Sequence, residues 1–139
     1  MSATKTIPTA NEIQEGLAEF MGDLERYRHP LNRRLIYTPG VDYLAYSAEA
    51  YWLIDVVASW LGSPEYRKAI KKDDRIEWIS FWKLEVNKDR SCSVTARADS
   101  GLTPFIRQDI EYTDFPLKSI DLYVQWDDRH WTLMLPSEY

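Results

Sequence analysis

RIEWISFWKLEV, residues 75–86, is the stretch on which the fold turns. Before it the chain reads in helical periods, and from it onward the pattern alternates. Read as a strand, it puts Ile76, Trp78, Trp82, Leu84 and Val86 on one face and Ile79 and Phe81 on the other. One face is expected to meet a helix. The second apolar face then needs cover, from the N-terminal helix or from another protein.

Toward the C-terminus, residues 91–98, 104–112, 119–126 and 131–135 repeat the strand pattern. Turn-like separators stand at 87–90, 99–101, 113–116 and 127–129, so the segments predict an antiparallel meander of about five strands. Toward the N-terminus lies AEAYWLIDVVASWL, residues 48–61, a helix apolar almost all round with Asp55 in its middle. Such a helix belongs inside a domain. Ser47 is read as its cap, and Leu61-Gly62-Ser63-Pro64 as its stop and the start of a short helix over 64–72. Further back, 27–37 reads as a short strand or hairpin, 38–40 as a turn and 41–46 as a short helix. The first helix is read over 10–23, with capping-box spacing at Thr9 and Glu12 and Ile13, Leu17, Phe20, Met21 and Leu24 on one face. The class is therefore α+β, with N-terminal helices packed on a C-terminal antiparallel sheet. One domain spans 1–139: a peripheral N-terminal helix in 1–25, a hairpin and helical part in 26–74, and the sheet in 75–139.

A chain of 139 residues can bury a real core without staples. Its net charge of −5 argues against direct nucleic-acid binding, which needs a basic face. The single Cys92 excludes an internal disulfide and fits a reducing, cytoplasmic setting. Residues 1–8 lack the apolar core of a signal peptide, and no apolar run is long enough to span a membrane. Aromatic residues reach 14%, with six Trp and nine Tyr, which suits a core and a recognition surface equally, so position has to decide between them.

The segments YRHPL (27–31), YTPGVDYL (37–44), AYWLIDVVAS (50–59), IEYTDFPL (110–117) and LPSEY (135–139) occur together and in order. Together they resemble an uncharacterised family of small bacterial and phage proteins, a domain of unknown function. The resemblance runs from about Arg26 to Tyr139, leaving the first helix outside. It implies an origin on phages or other mobile elements and carries no catalytic assignment.

Two candidate sites follow from the residues. A carboxylate on a buried helix needs a partner, so Asp55 is either a structural pin, held by Arg33, Arg34, His29 or a Tyr hydroxyl, or the centre of a polar site. With His29, Arg33 and Arg34 it makes a pocket candidate for a small molecule or nucleotide, although no Gly-rich loop surrounds the arginines. The interface candidates are Trp78, Phe81, Trp82, Trp126 and Trp131, since Trp and Tyr dominate interface hot spots. Cys92 alternates with Val94 and Ala96, which favours a core thiol over a nucleophile paired with His130. The two histidines have no zinc spacing, and no phosphate-loop or dinucleotide motif occurs.

The expected function is therefore non-catalytic recognition, with no cofactor and no metal. The partner is another protein or a ribonucleoprotein in the bacterial cytoplasm, and a homodimer covering its own second face is compatible with this. The resemblance extends the expectation to an inhibitor of a bacterial defence system, anti-CRISPR-like. The alternative is a small-molecule or nucleotide binder, or an enzyme, built on His29, Arg33, Arg34 and Asp55.

Overall fold

In the computed structural model, residues 8–21 and 25–139 are described. Helix α1 (Ala10–Leu17) starts at the expected box: the Glu12 amide donates to Thr9 Oγ1 at 3.2 Å and the Thr9 amide to Glu12 Oε1 at 3.4 Å. It ends at Leu17, short of the predicted 23, and Gly22, Asp23 and Leu24 of that prediction lie outside the described residues, as do 1–7. Ile13 and Leu17 are buried, and Phe20 beyond them packs on the Tyr43 ring at 5.4 Å. A Cβ at Gly16 would enter the space of the Tyr43 ring, so a larger residue there would have to displace that ring.

The hairpin expected in 27–37 forms as β1 (Tyr27–Arg28) and β2 (Leu35–Tyr37). Thr38 then caps α2 (Pro39–Ser47), accepting from the Val41 amide at 3.3 Å. Ser47 closes α2 instead of capping the next helix, and α3 (Tyr51–Trp60) begins at Ala50 without a side-chain cap. The Gly62-Ser63-Pro64 restart is as read: Gly62 has φ +79°, and Ser63 Oγ accepts from Tyr66 N at the start of α4 (Pro64–Lys72). A single turn, α5 (Arg75–Trp78), takes the first third of the stretch read as strand, so Trp78 is helical.

Five strands follow: β3 (Ile79–Val86), β4 (Cys92–Arg97), β5 (Ile106–Ile110), β6 (Ser119–Trp126) and β7 (Trp131–Met134). Among the described residues the sheet has seven strands rather than five, in the order β1-β2-β7-β6-β3-β4-β5, and it is mixed. The β1–β2 hairpin joins through a parallel pairing of β2 with β7, Leu35 opposite Trp131 and Tyr37 opposite Leu133. Nor is it a simple meander, because β6 pairs with β3 rather than with its predecessor β5. Residues 111–118 make that crossing with Thr113, Phe115 and Leu117 buried. Arg90, at φ +70° in the β3–β4 turn, holds them by donating to the carbonyls of Thr113 (Nε, 3.0 Å) and Phe115 (Nη2, 2.7 Å).

Register fixes which side chains share a face. Trp82 stands beside Ala96 and Leu122, Leu84 beside Val94, and Val124 beside Leu133, all buried on the helix side. Helix α3 turns Leu53, Ile54, Val57 and Ala58 inward, and Trp60 Nε1 donates to Gln108 Oε1 at 2.8 Å on β5. Polar groups in this layer are satisfied: Trp82 Nε1 donates to Ser80 Oγ at 2.8 Å, and the Tyr66 hydroxyl lies 3.3 Å from both Ser80 Oγ and the Ile76 carbonyl.

Burial pushes the Tyr66 phenol from 10.0 up to about 12, with the Ser80 hydrogen bond opposing. The folded state thus holds this proton more tightly than the unfolded chain. Its contribution is complete below pH 10 and is lost as pH rises through 12, up to about 2 kcal/mol. Urea unfolding at pH 9 and at pH 11.5 should show that loss, and Tyr66→Phe should make it smaller by the Tyr66 share, with Tyr37 and Tyr51 keeping theirs.

Candidate functional site

Asp55 is not buried. Tyr51, Asp55 and Ser59 recur every fourth residue and form an exposed stripe along α3, leaving the Asp55 side chain 68% exposed. Its partner is His29 rather than an arginine: His29 Nε2 donates to Asp55 Oδ1 at 2.8 Å. The ring itself is buried, and its Nδ1 accepts the amides of Leu31 at 3.2 Å and Asn32 at 2.9 Å. Those bonds fix the tautomer with the proton on Nε2. A catalytic base needs a free ring nitrogen, and here both nitrogens are engaged. The pair instead ties the β1–β2 loop to α3, helped by Asn32 Nδ2 donating to the Ala58 carbonyl at 3.1 Å.

The surroundings agree. Arg33 and Arg34 are exposed, and among the described residues neither forms an ion pair with Asp55. Tyr37 and Tyr51 lie in the same region, with the Tyr51 hydroxyl on Asp42 Oδ1 at 2.8 Å. Burial, then the hydrogen bond and charge of Asp42, holds the Tyr51 phenol well above its ordinary range. Burial, then Asp42, raises Tyr37. Phenols kept protonated are donors rather than nucleophiles. Of the four pocket candidates, only His29 and Asp55 come together.

The five interface candidates also divide. Trp82 is core, 2% exposed, and belongs to no surface. Trp126 and Trp131 meet at 4.8 Å with their rings tilted by 45° on the helix side of the sheet, where Trp131 also meets the Tyr66 ring at 6.4 Å. Trp78 is 49% exposed on α5, apart from both. Phe81 alone faces the side of the sheet opposite the helices. Cys92 is buried at one end of the β3–β4 pair and His130 follows β6 at the other, about 20 Å away along β3, so they form no pair.

The open face is where the remaining chemistry gathers. The Phe81 and Tyr123 rings meet edge to face at 4.9 Å, and Tyr123 meets Tyr139 the same way at 5.7 Å. Beside them is a groove of about 450 Å³, lined by Phe81, Lys83, Arg97, Leu102, Asp121 and Tyr123. Arg97 is held in place from two sides: Nη1 donates to Thr95 Oγ1 at 2.9 Å and Nε to the Leu102 carbonyl at 3.0 Å. Lys83 Nζ approaches Asp121 Oδ1 at 3.8 Å, and Arg107 Nε bonds Asp109 Oδ1 at 3.1 Å. The register also puts Glu85 and, on β1, Arg28 on this face, so four cations (Arg28, Lys83, Arg97, Arg107) stand among three carboxylates (Glu85, Asp109, Asp121). Tyr123, Arg97 and Lys83 were legible from strand parity, since Leu122 and Val124 must point inward. Tyr139 was not, because it reaches the face through the turn Pro136–Glu138.

Among the described residues, no group of three or more His, Cys, Asp or Glu could hold a metal, and no helix is long and apolar enough to cross a membrane. The chain belongs to a family of unknown function, DUF6876, whose model matches residues 11–139 and so takes in most of α1. No curated protein and no solved structure matches it.

Proposed function

We propose that the protein is a non-catalytic interaction protein that binds another protein through the open face of its sheet. The observation that carries this reading is the aromatic group Phe81–Tyr123–Tyr139 set among charges of both signs. An aromatic centre with a polar rim is the composition of protein interfaces. Nucleic acid calls for one dominant positive sign, and a face that mixes cations with carboxylates does not offer it. The His29–Asp55 pair, with no free ring nitrogen, supports a structural use of the hairpin rather than a pocket.

The mobile-element setting implied by the family resemblance makes an inhibitor of a bacterial defence system the specific form of this reading. Affinity capture from bacterial lysate tests it. The Phe81→Ala/Tyr123→Ala protein should lose a stoichiometric partner by roughly tenfold or more in retained amount. Arg33→Ala/Arg34→Ala should retain it. The opposite pattern would move the site to the hairpin.

A further inference from the structure

β5 is the long free edge of the sheet: among the described residues it pairs only with β4, while the other edge, β1, is two residues long. An exposed edge strand presents unpaired amides and carbonyls to any strand that can match it. Natural edges are commonly blocked by charge. The charges here, however, are of opposite sign and symmetrically placed, in the sequence Ile106-Arg107-Gln108-Asp109-Ile110.

We propose that β5 is a self-recognition edge, pairing antiparallel with β5 of a second copy about a two-fold axis at Gln108. In that register Gln108 faces its own copy, Arg107 faces the second copy's Asp109 and Asp109 its Arg107, and Ile106 faces Ile110. Both oppositely charged pairs fall on the open face, where Arg107 and Asp109 are already 3.1 Å apart within one chain and more than half exposed. The pairing closes them into a ring of four alternating charges. Opposite charges directly across a strand pair are stabilising and like charges are not, so the pattern selects this register and this partner. The interface is isologous, as a two-fold dimer requires. The inference does not rest on the open-face reading above, since the groove beside Phe81 exists in a single copy.

Charge exchange tests it by sedimentation over a range of protein concentrations. The unaltered protein should move from 16.4 kDa toward twice that mass as concentration rises. Arg107→Asp places Asp opposite Asp, and Asp109→Arg places Arg opposite Arg. Each should raise the dissociation constant by roughly tenfold or more. Mixed together, the two variants should associate with each other, because every cross-strand pair is again opposite in sign. The in-chain pair stays broken in both, so recovery on mixing cannot come from repairing the single chain. Thermal unfolding of each variant checks that these exposed substitutions leave the fold intact. A wild-type protein that stays at 16.4 kDa, single variants that still dimerise, or a mixture that stays monomeric would each overturn the proposal.

Discussion

Trp82→Ala should unfold the protein or bring it to the edge of unfolding, whereas Phe81→Ala, one residue away, should leave it folded. Trp82 is 2% exposed, surrounded by Ala96, Leu122 and the helix layer, and its indole N–H is bound to Ser80. Truncating it leaves a cavity and strips Ser80 of a partner, at a cost of about 3–5 kcal/mol. A domain of this size holds roughly 5–15 kcal/mol in all. Phe81 is half-buried and touches Tyr123 by its ring edge, so its loss should cost only about 1 kcal/mol. Urea unfolding of the two variants side by side reads the difference. Equal destabilisation would mean that the open face is packed as core and is not a surface.

The second large effect is expected at the chain end. Glu138 is buried, and its carboxylate accepts three donors: the Thr38 hydroxyl at 2.5 Å and the Leu135 amide at 3.0 Å on Oε1, and the Gly40 amide at 3.2 Å on Oε2. It therefore closes the last turn onto the N-terminus of α2, where a negative charge is favoured. Gly40 has to be glycine, since a Cβ there would lie 2.5 Å from Glu138 Oε1 and 2.6 Å from Leu135 Cδ1. Glu138→Ala leaves buried donors without an acceptor and should cost about 3 kcal/mol. Glu138→Gln keeps an oxygen for two donors but can turn its amide against the Gly40 N–H, so about 1 kcal/mol is expected. Thermal unfolding should rank the variants in that order; an Ala variant as stable as wild type would show that the last turn is not held by this carboxylate.

What the sequence disclosed follows the range of its signals. Caps and turns act within a few residues, and Thr9 with Glu12 and Gly62-Ser63-Pro64 were read correctly for that reason. Alternation separated the face of Trp82 and Leu84 from that of Phe81 and put Cys92 in the core, but it did not say which face of the first strand meets the helices. Two failures came from pairing at long range. β1 and β2 are too short to register as sheet members, and β2 finds β7 nearly a hundred residues later, in parallel. β6 leaves β5 and inserts beside β3, a choice made by the buried crossing at Phe115 and the grip of Arg90 rather than by any local turn. The third failure was one of counting. Tyr51 lies in the stretch read as apolar almost all round, yet its hydroxyl binds Asp42 at the surface, and with Asp55 and Ser59 it gives the helix a wet side. Asp55 then lost its status as a buried charge. The pairing of His29 with it was among the partners foreseen, but the two backbone amides that occupy the other ring nitrogen depend on the loop conformation at residues 29–32.

The proposed function places another protein on the open sheet face. A photo-crosslinking residue placed at Tyr123 and, separately, at Asp55 on the helical side tests it most directly, with both proteins exposed to bacterial lysate and irradiated. One discrete higher-mass adduct, containing a second kind of protein, is expected from position 123, and none from position 55. An adduct from position 55 alone, or none from either, would contradict it.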